Sequence, residues 1–427
     1  MEAKNQDGYS ITIPLLCDED GVKLGHNEQI AQNHNTGTTS FFKTFFNGLN
    51  ALSGVGILSV PYALSSGGWL SLIFLFAIAF ATFYTGLLIK KCMDVDPNIR
   101  SYPDIGERAF GSKGRLIVSI FMNTELYLVA TGFLILEGDN LHNILPDMGF
   151  EIGGIQIGGK QSFVMIVGLI VLPTVWLNNM NILSYISASG VLASIIILGS
   201  ILWIGAFDGI GFKEKGTTLN LKGLPTAISL YAFCYCAHPV FPTLYTSMKN
   251  KQQFSKVLLL CFVFCTISYT SMAVIGYGMF GSEVQSQITL DLPIEKLSSR
   301  VAIYTTLINP ISKFALMVTP LVNAAENQFR NYCQKRSFSF LIKTTLVIST
   351  IVVALAVPFF GYLMSLVGAF LSVTASILLP CLCYLKIYRI YRSPGFELVV
   401  ILCIILLGVS TAIIGTYTSL VEIIGHL

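Results

Sequence analysis

Of the 427 residues, 53% are hydrophobic and only 11% are charged, and mean hydropathy is +0.70. Soluble domains carry about one-quarter charged residues, so a soluble core is excluded, and a formal charge of +3 spread along the chain does not mark a nucleic-acid-binding protein. The apolar residues fall in runs of roughly 20, enough to cross about 30 Å of hydrocarbon, so the bilayer is the expected solvent and partner.

Residues 1–40 are polar, include Asp18-Glu19-Asp20, and lack the apolar stretch of a signal peptide; they read as a disordered cytosolic tail. Pro14-Leu15-Leu16 within them has the form of a dileucine sorting signal, although a chance leucine pair would look the same. Hydropathy, punctuated by Gly, Pro and charged residues, predicts eleven spans beginning near 42, 69, 116, 162, 182, 223, 254, 300, 341, 359 and 396. With the N-terminus inside, the internal segments hold 19 Lys/Arg and the external ones six, which satisfies the positive-inside rule. The ten cysteines lie mostly within the spans, without metal-ligand or disulfide spacing, and no cofactor or metal centre is expected.

The first span, Asn47 to Pro61, carries Gly48, Gly54, Gly56 and Pro61 and is poorly suited to a continuous helix. The sixth, Tyr231 to Pro242, is broken in the same way and holds His238-Pro239 and Pro242. Backbone groups freed by a break cannot face lipid, so they must be buried in protein or line a wet cavity. Interrupted helices at corresponding places of two halves point to an inverted-repeat transporter, with residues 41–206 as the first repeat, 222–392 as the second, and 393–427 as an eleventh span with a short lumenal C-terminus. A half-helix N-terminus at the break suits an anion and the carbonyl ends suit a cation or ammonium, so the two together suit a zwitterion. Kinks that serve only packing are the plainer alternative.

In span 3, Asn123, Tyr127 and Thr131 form one polar stripe, while Glu125 lies about 160° round the helix from Tyr127. If Tyr127 lines the cavity, Glu125 becomes a packing or proton-relay group. Glu137 and Asp139, near the outer end, read as solvated carboxylates. Span 8 carries a seam of Thr305, Ser312, Thr319 and Glu326 with Asn309 and Asn323 beside it, suited to a cation, a substrate, or neighbouring helices. Lys313 lies close to that face and either snorkels or pairs with a buried acid. His238 is a candidate for proton coupling or carboxylate contact, or else a neutral histidine bonded to carbonyls freed at Pro239. No nucleophile–base or metal-ligand arrangement is present at a recognisable spacing, so catalysis is not expected.

Gly54-Val55-Gly56-Ile57-Leu58-Ser59-Val60-Pro61-Tyr62-Ala63, His238-Pro239-Val240-Phe241-Pro242, and Asn309-Pro310 followed by Lys313-Phe314-Ala315-Leu316 and Thr319-Pro320 resemble the amino acid/auxin permease family. Within it, the chain looks like the plant vacuolar amino acid transporters, over residues 40 to 425. The resemblance implies an all-α membrane protein with a LeuT-like 5+5 inverted repeat, broken spans 1 and 6, and an eleventh transmembrane helix. It implies secondary active transport of amino acids, neutral ones in this reading, across the vacuolar or alternatively the plasma membrane, driven by or exchanged with protons. By matching motif, Ser53, Gly54, Val55, Gly56, Ile57 and Leu58 would meet the substrate's charged ends. Phe233, Tyr235, Cys236 and His238 would form the opposing wall, Tyr127 would cover the substrate, and Asn309 of span 8 would contribute. His238, Glu125 and Lys313 are the proton-coupling candidates, and Thr319 resembles a weak cation site between spans 1 and 8. An amino-acid sensor using the same pocket without flux is the competing class; an ion channel fits less well, since no charged ring or filter sequence is visible.

Overall fold

A computed structural model describes residues 37–426 other than 38, 147, 153–154, 177–179, 213–215, 329–335, 358 and 393–394. The dileucine pair and most of the tail lie outside the described residues. Eleven spans follow one another in the expected order, each within a few residues of its expected start except the third. Span 1 is a bent pair, Phe41–Leu52 and Gly56–Gly67, which meet at 46°. Span 2 (Leu72–Asp94), span 4 (Gly159–Trp176), span 5 (Met180–Phe207), span 7 (Phe254–Phe280), span 8 (Leu297–Gln328), span 9 (Arg336–Ala356) and span 11 (Phe396–His426) are helical throughout. Span 6 is broken into Leu224–Cys234, a 3₁₀ turn His238–Val240, and Phe241–Ser247.

Span 3 runs from Tyr102 to Ile144 and so begins well ahead of the residue where hydropathy placed it. Its first turns are charged, which hides them from an apolar window, but Ser101 and Asp104 form a capping box that fixes the true start. Gly111, at φ +68°, kinks the helix between this polar portion and the membrane portion. A short antiparallel hairpin, β1 (Phe150–Ile152) with β2 (Ile155–Ile157), joins spans 3 and 4 in the register Phe150↔Ile157.

Span 10 begins as Phe360–Leu366, passes through π-helical turns at Val367–Ser372 and Thr374–Leu378, and ends as Leu379–Tyr388. Spans 6 and 10 are the most buried, while spans 9 and 11 are largely open on their outer faces. Exposed Leu402, Leu406 and Ile413 on span 11 are what a lipid-facing helix requires. The broken spans therefore sit inside a helical shell, with every freed backbone group shielded from hydrocarbon.

Candidate functional site

The first half of span 1 makes its last helical bond from Ser53 N to Leu49 O (2.7 Å) and stops where Gly54 N turns back to Leu52 O (2.8 Å) instead of reaching Asn50. The helix resumes at Gly56, which leaves the N–H groups of Val55 and Gly56 without a hydrogen-bond acceptor among the described residues. In span 6, Tyr235, Cys236 and Ala237 form the irregular link between its halves. The two breaks touch: a Cβ on Gly56 would lie 2.8 Å from Cys234 Sγ and 3.3 Å from Cys234 Cα. Glycine is thus required there by close approach of one broken segment to the other.

A small cavity opens at this junction between spans 1, 3, 6 and 8. Its walls are mainly apolar, with Phe133, Phe233, Val240 and Met317 among them, and its two charged residues are Glu125 and Lys313. Both are almost wholly buried. Lys313 Nζ donates to the carbonyl of Ser53 at 2.7 Å, tying span 8 to the break in span 1. The hydroxyl of Tyr269, on span 7, lies 2.5 Å from the carbonyl of Leu52 and 3.1 Å from that of Cys234. These are the last residues of two half-helices, so one O–H meets two partially negative helix ends at once. Glu125 Oε1 accepts from Ser372 of the π-helical turn of span 10 at 2.6 Å, and Oε2 has no partner among the described residues.

Of the residues singled out in the sequence, Gly54, Val55, Gly56, Phe233 and Cys236 line the cavity. Ile57, Leu58 and Asn309 are buried outside it. Ser53 contributes its carbonyl, while its hydroxyl donates to Ser194 of span 5 at 2.9 Å. Tyr235 points the other way, hydrogen-bonded to Thr266 and stacked on Phe262 of span 7. Tyr127 also leaves the cavity, donating to Ser349 of span 9 at 3.1 Å. The expected division of labour on span 3 is therefore reversed: because the two side chains lie on nearly opposite faces, Glu125 faces the cavity and Tyr127 packs between helices.

His238 is absent from the lining. Its Nε2 lies 3.0 Å from the carbonyl of Thr82 and 2.9 Å from Thr85 Oγ1, both on span 2. A carbonyl can only accept, so Nε2 carries the hydrogen, and Thr85 in turn donates to the Ser376 carbonyl of span 10 at 2.6 Å. The histidine is a buried knot between spans 6, 2 and 10, bonded through Nε2 to a carbonyl of span 2. Thr319 donates to Ala315 of its own helix at 2.6 Å, and the Ser53 carbonyl that faces span 8 is capped by the Lys313 ammonium. An ammonium therefore stands where a cation site was expected between spans 1 and 8, and would repel a cation.

The outer carboxylates also differ from expectation. Glu137 is 1% exposed, with neither oxygen partnered among the described residues, and Asp139 pairs with Lys160 at 2.5 Å and accepts from Gln287 at 2.8 Å. Hydropathy counts such groups as solvated because it cannot see the loop at 285–291 folding over them. Tyr269 and Ser372 were missed as well: each lies among other hydroxyl residues, Ser268 and Thr270 beside the first and Thr374 and Ser376 after the second, and only the bundle shows which of them faces the site.

Residues 37–421 match the family described as transmembrane amino acid transporter protein. The chain belongs to that family. Membership places it among transporters, not enzymes, and makes it a multi-pass membrane protein. It is 60% identical to amino acid transporter AVT1I of Arabidopsis thaliana over 94% of this chain and 100% of the relative. It is equally similar, at 60%, to AVT1J of the same plant over 100% and 99%, and 43% identical to AVT1B over 98% and 80%. These relatives place the chain in the AVT subgroup that the motifs resemble. Among solved structures, Mhp1, a nucleobase-cation-symport-1 family transporter in a closed conformation with bromovinylhydantoin bound, superposes with a TM-score of 0.54 at 13% identity, covering 92% of this chain and 94% of Mhp1. At that identity the likeness speaks for the fold alone, which is LeuT-like with breaks in spans 1 and 6.

Proposed function

We propose that this chain is a secondary active transporter that moves neutral amino acids by alternating access, with protons as the coupling ion. The observation that carries this reading is the cavity at the junction of two broken helices. It presents N–H groups at Val55 and Gly56 that have no acceptor among the described residues, and two side chains of opposite charge within mainly apolar walls. One negative and one positive group sum to zero, which favours a zwitterion with an apolar side chain over a substrate of net charge. The names of the AVT1 relatives support amino acids as the substrate class.

Lys313 is the coupling group in this proposal. An ammonium buried in the protein is costly unless paired, and this one is held by the Ser53 carbonyl across the span 1–span 8 contact. Loss of its proton would weaken that tie and allow the first half of span 1 to leave span 8; regaining it would restore closure. His238 is packed against span 2 and is given no coupling role.

Purified full-length protein in liposomes, supplied with labelled neutral amino acids, tests the reading. Uptake should rise with an imposed pH gradient. Lys313→Met should abolish the gradient's effect while leaving exchange of internal for external substrate measurable. No uptake and no exchange by the parent would defeat the proposal. The resemblance further supports a vacuolar membrane with a cytosolic N-terminus; a fluorescent fusion found at the cell surface would count against that location.

A further inference from the structure

A broken helix offers carbonyls to the amino group of a zwitterion, yet here three of the junction's carbonyls are already engaged. Leu52 and Cys234 share the Tyr269 hydroxyl, and Ser53 holds the Lys313 ammonium. The donors of the junction are the reverse case, since the N–H groups of Val55 and Gly56 have no acceptor among the described residues. The junction backbone can therefore receive a carboxylate, and with these three carbonyls taken an ammonium is better matched by a buried acid that lacks a partner.

Two lining side chains carry buried acceptor atoms without a partner among the described residues: Asn50 Oδ1 and Glu125 Oε2. Asn50 Oδ1 lies 2.1 Å from where a Cβ on Gly190 of span 5 would stand, and the Lys313 side chain comes within 3.3 Å of the same point. That amide oxygen belongs to the positive side of the site. Glu125 comes from span 3, its Oε1 fixed by Ser372 of span 10 and its Oε2 left over. A carboxylate held by one hydroxyl and buried to 1% exposure lacks the second donor that a charged group in such surroundings requires.

We infer that Glu125 receives the α-ammonium of the substrate, while the N–H groups of Val55 and Gly56 receive its carboxylate. The inference rests on the proposal that the substrate is an amino acid. Glu125 is then a binding residue that selects for an α-amino group, and Ser372 is the positioning residue that presents it. Sites built to hydrogen-bond one polar group reject an analogue lacking it far more strongly than apolar pockets reject a missing methylene.

The test uses the purified full-length chain in detergent. The twenty protein amino acids are ranked by thermal shift, and the strongest binder is titrated beside the same acid with hydrogen in place of its α-amino group. The parent should prefer the amino acid by about 100-fold or more. Glu125→Gln, which keeps size and shape, should lose most of that affinity while binding the des-amino acid as the parent does, so that the preference collapses. Ser372→Ala should shrink the preference in the same direction by less, and it serves as the measurement if Glu125→Gln does not fold. An unchanged preference in both variants, or an equal loss of both ligands, overturns the inference and leaves the transport proposal standing. Binding of no amino acid by the parent overturns both.

Discussion

At the scale of single residues, the membrane interior makes polar atoms expensive, so the partner of each buried group decides its role. His238 satisfies its Nε2 hydrogen on Thr82 and Thr85. Its replacement by alanine removes these bonds between spans 6 and 2 and leaves a buried void, and should cost about 1–3 kcal/mol of stability. The melting temperature in detergent should fall, whereas the pH profile of whatever uptake survives should keep its shape. Glu137 predicts the opposite behaviour. With no partner for either oxygen among the described residues, a charge there has nothing to balance it, and Glu137→Gln should leave the melting temperature equal or higher. The sequence identified both residues as intramembrane polar groups, but it could not tell which were bonded. Spacing put Glu125 and Tyr127 on opposite faces without saying which face was inward, and the choice of Tyr127 failed for that reason.

At the scale of elements, helical breaks were legible because glycine and proline act locally. Gly54 and Gly56 flank the break in span 1 and Pro239 lies in the break of span 6, whereas Pro61 sits inside the helix Gly56–Gly67, six residues past the break it was expected to mark. The clip that joins them was not legible, since nothing along span 7 distinguishes Tyr269 from a tyrosine at the membrane interface. Tyr269→Phe keeps the ring and removes the O–H that faces two helix C-termini. It should lower stability by about 1–3 kcal/mol and slow uptake while the protein stays folded, which unfolding and flux measurements on the same preparation would separate. Gly56→Ala should be worse, because its Cβ meets Cys234 from both the sulfur and the backbone side.

At the scale of the whole molecule, spans 1 and 6 are tied at three levels. At the N-terminal end of span 1, Thr39 lies in a parallel bridge with Met248, with Thr39 N to Ser247 O at 2.9 Å and Lys249 N to Thr39 O at 3.0 Å. In the middle, Gly56 meets Cys234 and Tyr269 spans both breaks. At the other end, the turn after span 1 pairs with the chain leading into span 6, through Trp69 N to Thr217 O at 3.1 Å and Asn220 N to Gly67 O at 3.0 Å. The ties from this pair to spans 5 and 8 are fewer and polar: Ser53 to Ser194, and Ser53 to Lys313. Motion should therefore divide the molecule between these two sets of contacts, with the broken spans travelling together. A disulfide between Thr39→Cys and Met248→Cys, in a background lacking the exposed Cys403, should leave transport intact, since it joins parts that already move as one. A disulfide between Asn50→Cys and Gly190→Cys, which links span 1 to span 5 where the Asn50 side chain reaches Gly190, should arrest uptake, and reduction should restore it. If the first bridge stopped transport and the second did not, the dividing line would run between spans 1 and 6, and the ties observed here would be those that break in each cycle.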